Sequence, residues 1–134
     1  MNQDCFTLEM AVRDYECDLQ GVVNNAVYQN YLEHARHEYL KSIGIDFAAL
    51  TAQGINLVVT RVEIDYKTSL VSGDRFMVEV RPERVSPVRI GFRQNMYRLP
   101  ARKVVVTARV TGTALNAKGR PQLPVELKDI LDRA

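Results

Sequence analysis

The residues best suited to chemistry lie in a short loop and at the start of the helix predicted to follow it. Asp18 supplies a carboxylate, and Gly21 permits a tight turn in which the backbone comes close to a ligand. The first N–H groups of a helix have no intrahelical acceptor and lie at the positive end of its dipole, so they can stabilise an oxyanion. A carboxylate beside such donors can attack a carbonyl or activate water. These parts suit acyl transfer or hydrolysis.

Two other interpretations of this loop remain open from the residues alone. Asp18 could merely cap the helix or the turn before it, since Asp is common near helix starts. Cys17 could be a nucleophile if His34 or His37 reached it. Both histidines lie well inside the predicted helix, however, and neither need face the loop.

The two histidines also raise the question of a metal. His34 and His37 are three residues apart and have Glu33 and Glu38 as neighbours, which is a possible ligand set. Solvated positions on a helix surface explain the same residues more simply. We therefore expect no metal site.

Hydrophobic periodicity predicts one long helix among several strands. Apolar residues at spacings of three and four predict a helix from Asn24 or Asn25 to Ile43, with Gly44 just beyond its end. Alternation and turn signals predict five strands. They are Phe6–Tyr15, Ile55–Tyr66, a strand beginning at Phe76, Val88–Leu99 and Arg102–Leu115. Short helices are predicted at Asp46–Ala52 and Val125–Leu131.

This order of elements predicts an α+β domain in which the long helix packs on an antiparallel sheet. The 134 residues suffice for one domain, which we assign to 1–134. A single long helix on five strands leaves a small core and an unpaired sheet edge. We therefore predict a homo-oligomer, either a dimer or a tetramer.

The pattern Asp-x-x-Gly-Val-Val-x-x-x-x-Tyr-x-x-Tyr-x-Glu-x-Ala-Arg runs from Asp18 to Arg36. It resembles the hotdog-fold thioesterases of the 4-hydroxybenzoyl-CoA thioesterase-like family. A longer set of matches, including 12–16 and 42–45, is similar to the plant plastid acyl-ACP thioesterase subgroup and its bacterial relatives. The resemblance implies a hotdog fold, with one long helix wrapped by a five-stranded antiparallel sheet. It also implies hydrolysis of an acyl-CoA or acyl-ACP thioester to a free acid and a thiol.

The same resemblance implies roles for particular residues. Asp18 corresponds to the catalytic carboxylate, as nucleophile or as general base, and Gly21 shapes its loop. The backbone N–H at Asn25 corresponds to the donor that polarises the thioester carbonyl, although many relatives have His at this position. Asn24 or Asn25 could orient water or the carbonyl, and Tyr28 could line an acyl pocket. No cofactor is implied, because CoA or phosphopantetheine belongs to the substrate.

Three further substrate-binding candidates lie on predicted strands. Thr60 is expected on the inward face of its strand, together with Val58 and Val62, where it could position water. Arg89 and Arg93 are expected on one outward strand face, where they could contact the acidic carrier protein or the phosphates of CoA.

These arginines belong to an unusual stretch, because residues 85–120 contain eight Lys or Arg and no Asp or Glu. A basic face without a specific role would give the same composition. No nucleic-acid motif, apolar membrane span or secretory signal is present, which predicts a cytoplasmic protein that binds neither nucleic acid nor membrane. A non-catalytic acyl-binding or acyl-carrier hotdog module is the alternative to an enzyme.

Overall fold

The computed structural model describes residues 5–133, so the domain prediction for 1–4 and 134 lies outside the described residues. The strands are β1 (Phe6–Ala11), β2 (Asn56–Tyr66), β3 (Arg75–Ser86), β4 (Arg89–Arg98) and β5 (Lys103–Leu115). The helices are α1 (Asn25–Ser42), α2 (Phe47–Ala52) and α3 (Val125–Arg133), and Asp14–Glu16 forms a 3-10 turn. Within 5–133, no helix is long and apolar enough to cross a bilayer.

The five strands form one antiparallel sheet in the order β1-β3-β4-β5-β2, which confirms the predicted α+β architecture. β1 and β2 are the two edges. β1 ends four residues earlier than the alternation predicts, because the backbone N–H of Arg13 donates to the Glu16 carboxylate at 2.7 Å and the chain turns there.

α1 packs across the inner face of the sheet. Asn24 caps its start, its C-cap is Ile43, and Gly44 follows with φ 94°. The Tyr31 ring lies 4.7 Å from that of Phe76 on β3. These contacts close a core built from the apolar stripe of the helix and the alternate residues of β3, β4 and β5.

The predicted inward face of β2 is wrong for its first half. A β-bulge interrupts the pairing with β5 between Val59 and Arg61, so that Thr60 has no cross-strand partner. Thr60 is exposed, and its hydroxyl donates to the Thr111 carbonyl at 3.2 Å. A Cβ at Gly112, opposite Val59, would lie 2.7 Å from a β2 carbonyl oxygen, so only glycine fits this close approach.

Candidate active site

Asp18 lies in a tight turn that fixes one of its carboxylate oxygens. Oδ1 accepts from the backbone N–H of Gln20 at 2.9 Å and of Val22 at 3.4 Å. The Gly21 N–H donates to the Asp18 carbonyl at 3.0 Å, and Gly21 has φ 82°, a conformation that favours glycine. Asp18 Oδ2 has no donor among residues 5–133, and the side chain is exposed. One oxygen is therefore held while the other is free to react.

The start of α1 leaves a backbone donor free. Asn24 is the cap, since its side-chain oxygen accepts from the Ala26 N–H at 3.1 Å, and its carbonyl accepts from the Val27 N–H at 2.9 Å. Asn25 is the first helical residue, and its N–H has no acceptor within the described part of the chain. The structure thus assigns the Asn24 side chain to capping, while the Asn25 N–H can bind an oxyanion.

Backbone pairing joins the turn to the helix start. Cys17 and Val23 form an isolated antiparallel bridge, and the Asn24 N–H donates to the Glu16 carbonyl at 3.0 Å. Glu16 is in turn tied to α1, because its carboxylate accepts from the Tyr31 hydroxyl at 2.8 Å. This bracing by Glu16 and Tyr31 was missed from the sequence, where Tyr31 reads only as a core residue.

Tyr28 is a core residue beside the helix start. It is 2% exposed, and its hydroxyl accepts from the Leu70 N–H at 2.9 Å. Its ring makes edge contacts with Tyr31 and with Tyr66 on β2. Burial raises the pKa of the Tyr28 hydroxyl. It does not line the apolar cavity described next, and in this chain it packs in the core.

A cavity of about 300 Å³ lies between α1 and the β2, β4 and β5 side of the sheet. Most of its wall is apolar, with Leu40, Ile90 and Phe92 among the lining residues. Arg36 also lines it and is 8% exposed. The sequence reading missed this burial, although Arg36 lies four residues from both Leu32 and Leu40 of the buried stripe, a spacing that could have revealed it.

Arg89 and Arg93 both lie exposed on the outer face of β4, as predicted. α1 packs on the opposite face, so this chain does not bring them together with Asp18. The Glu83 carboxylate accepts from Arg93 Nε at 2.8 Å and from Arg109 Nε at 2.7 Å. Part of the acid-free stretch is therefore neutralised by an acid on β3, while Arg89 has no ion pair among the described residues.

The histidines form no site with Cys17. His34 lies 3.9 Å from Glu38 on the helix surface, and the His37 ring packs against Phe47 at 5.3 Å. Within residues 5–133, no group of His, Cys, Asp and Glu could hold a metal ion.

Comparisons with known proteins place this chain in one family. Residues 12–133 match the model of the thioesterase-like superfamily, and the chain belongs to that family. The acyl-acyl carrier protein thioesterase ATL2, chloroplastic, of Arabidopsis thaliana is 43% identical over 114 residues, or 85% of this chain and 61% of that protein. The chain thus spans about three-fifths of the length of this relative.

Two further comparisons cover the chain more evenly. The long-chain acyl-CoA thioesterase FadM of Escherichia coli is 28% identical over 118 residues, or 88% of this chain and 89% of that protein. The crystal structure of a 1,4-dihydroxy-2-naphthoyl-CoA thioesterase from Synechocystis superposes with a TM-score of 0.89 at 18% identity, covering 96% of both chains. The fold is therefore the hotdog thioesterase fold, as the resemblance implied.

Proposed function

We propose that this protein hydrolyses an acyl-CoA or acyl-ACP thioester to a free acid and a thiol. One observation carries the proposal: backbone pairing holds the Asp18 turn beside a helix start whose first N–H, at Asn25, has no acceptor among the described residues. The names of the relatives support the same reaction class.

The geometry suits two routes. Asp18 Oδ2 can attack the thioester carbonyl, expelling the thiolate and leaving a mixed anhydride that water then hydrolyses. Alternatively, Oδ2 can take a proton from a water molecule that attacks the same carbonyl. In both routes negative charge develops on the carbonyl oxygen, where the Asn25 N–H stabilises it.

The substrate has two parts that require different surfaces. The acyl group fits the apolar cavity between α1 and the sheet. The carrier, whether CoA or an acyl carrier protein, is anionic, and Arg89 and Arg93 remain our candidates for contacting it. No separate cofactor is needed in this scheme.

We also propose that the protein is a homo-oligomer built on a dimer formed through the β2 edge. Val59, Val62 and Tyr66 on this edge strand are 50%, 39% and 47% exposed, and an exposed apolar edge of this kind favours pairing with another chain. A second copy suits the edge, because antiparallel self-pairing centred on Val62 places Arg61 of each copy opposite Glu63 of the other.

The test is a panel of acyl-CoA and acyl-ACP substrates with a free-thiol readout. We expect at least one thioester to be hydrolysed, and Asp18→Asn to lose most of that rate. Asn is the informative replacement, since its side-chain oxygen can still accept from Gln20 and Val22 and so preserve the turn. Thiol release from no substrate at high enzyme concentration would favour the non-catalytic acyl-binding module. Near-normal turnover by Asp18→Asn would refute the role of Asp18.

A further inference from the structure

Arg36 is a buried cation that forms no direct ion pair within residues 5–133. It is 8% exposed. Within the described part of the chain its one hydrogen bond runs from Nη1 to the neutral Oε1 of Gln94 at 3.0 Å. Burial lowers the pKa of the guanidinium, and the nearby Glu33 carboxylate opposes this. Buried charges are ordinarily paired, so Arg36 requires an explanation.

Gln94 fixes the orientation of Arg36. It is fully buried on the inner face of β4, and its Nε2 donates to the Leu32 carbonyl on α1 at 3.0 Å. This bond determines which end of the amide accepts from Arg36. A guanidinium has five N–H donors, and the bond to Gln94 uses one of them. Arg36 lines the cavity, so its remaining N–H donors are available to a ligand bound there.

The charge at this end of the cavity favours a neutral partner. Glu33 and Arg36 both line the wall, so a carboxylate placed there would meet a like charge beside the cation. A hydroxyl or keto oxygen accepts from a guanidinium without that repulsion. A hydroxyl can in addition donate to a carboxylate.

We propose that Arg36 and Gln94 form a specificity site that selects acyl groups bearing a neutral oxygen, hydroxyl or keto, far from the thioester. This inference rests on the proposed function. The distance follows from the helix: Arg36 lies about 16 Å along α1 from Asn25, at 1.5 Å per residue. An oxygen at the second or third carbon of the acyl chain would not reach it.

The experiment compares dodecanoyl-CoA with its ω-hydroxy, ω-carboxy and 3-hydroxy derivatives. We expect kcat/KM for the ω-hydroxy substrate to exceed that for dodecanoyl-CoA by about tenfold, as one hydrogen bond to a charged donor would give. Equal values, or preference for the ω-carboxy or 3-hydroxy substrate, would overturn the proposal. Hydrolysis of dodecanoyl-CoA itself reports on the proposed function separately.

Two variants assign the selectivity to Arg36. Arg36→Met should bring the ratio of ω-hydroxy to unsubstituted kcat/KM close to one, whereas Ile90→Val, on the apolar wall, should change both values together. If Arg36→Met does not fold, Arg36→Lys keeps the charge but loses the guanidinium fork, and it should also lower the ratio. A ratio unchanged in the folded variant would refute the role of Arg36.

A binding measurement tests the site without catalysis. Calorimetry with the free acids should show ω-hydroxydodecanoic acid binding more tightly than dodecanoic acid, and Arg36→Met should remove the difference. Equal affinities in the wild-type protein would contradict the site, even if no thioester were hydrolysed.

Discussion

The hydroxyl of Tyr31 donates a 2.8 Å hydrogen bond to the carboxylate of Glu16, fifteen residues earlier in the chain. Glu16 adjoins the bridge of Cys17 with Val23, and its carbonyl accepts from the Asn24 N–H. The second turn of α1 therefore holds the segment that carries Asp18. Tyr31 and Glu16 touch no proposed reacting atom, so we interpret them as positioning residues.

Tyr31→Phe tests this positioning role. Because it removes a hydrogen bond to a charged acceptor, the free energy of unfolding in urea should fall by about 1.5–3 kcal/mol. The folded variant should also lose kcat by about tenfold, with a smaller change in KM, since a displaced carboxylate reacts more slowly. Tyr97→Phe, on β4 and away from the site, is the matched control. A stability loss with normal kcat would show that the pair only stabilises the fold.

The same pair predicts a pH dependence of stability. Burial, together with the hydrogen bond and charge of Glu16, raises the pKa of the Tyr31 hydroxyl above its usual range. The native protein therefore keeps this proton at a pH where the unfolded chain, with a phenol pKa of about 10, loses it. The stabilisation is complete below about pH 10 and is lost as the pH rises further. The difference in unfolding free energy between wild type and Tyr31→Phe should shrink above that pH, and a constant difference would contradict this.

The proposed carrier contact predicts a salt-dependent KM. Arg89→Ala with Arg93→Ala should raise KM for the carrier-linked substrate at low ionic strength, and added salt should reduce the effect. Lys118→Ala with Arg120→Ala, in the 116–120 turn, removes the same two charges elsewhere and should have little effect. An unchanged KM at low salt would refute this surface.

The single variants should differ from each other. Arg93→Ala also removes one of the two arginines that bind Glu83, whereas Arg89→Ala breaks no ion pair of the described chain. The hydrogen bonds from Arg93 and Arg109 outweigh burial and lower the pKa of the Glu83 carboxyl. Arg93→Ala should therefore raise that pKa, which a carboxylate-resolved NMR titration measures. No change would show that Arg109 alone sets it.

If the protein dimerises through the β2 edge, a single charged residue introduced at the centre of that edge should disrupt the dimer. Val62→Asp places two carboxylates opposite each other at the centre of the self-pairing, where like charges are destabilising. Light scattering should then report a halved mass. Val104→Asp is the control, because Val104 is 37% exposed against 39% for Val62 but lies on β5. A wild-type monomer, or an unchanged mass for Val62→Asp, would contradict this edge as the interface.

The sequence predicted the elements well because their signals are local. The cap at Asn24 and the glycine after α1 each act on neighbouring residues, and the structure has a helix boundary at or next to each one. The Asp18 turn and the free helix start were predictable for the same reason. The family resemblance added which chemistry these local features serve.

Features set by distant pairing were not predictable. The bulge at Thr60 depends on how β2 fits β5 around Gly112, and periodicity along β2 alone cannot reveal it. The contact of Arg36 with Gln94 joins residues 58 positions apart. The neutralisation of Arg93 and Arg109 by Glu83 likewise depends on strand pairing, which a count of charges along 85–120 does not contain.

The backbone N–H of Asn25 is the proposed donor to the oxyanion, and a proline substitution tests this role directly. Proline suits the first helical position, and Asn24, with φ −63° and ψ 139°, already has the extended conformation favoured before proline. Asn25→Pro should therefore keep the fold but remove the N–H, whereas Asn25→Ala keeps it. We predict that kcat for the best thioester of the panel is about 10²–10³-fold lower in Asn25→Pro than in Asn25→Ala. Equal kcat values in the two folded variants would contradict stabilisation of the oxyanion by the Asn25 N–H.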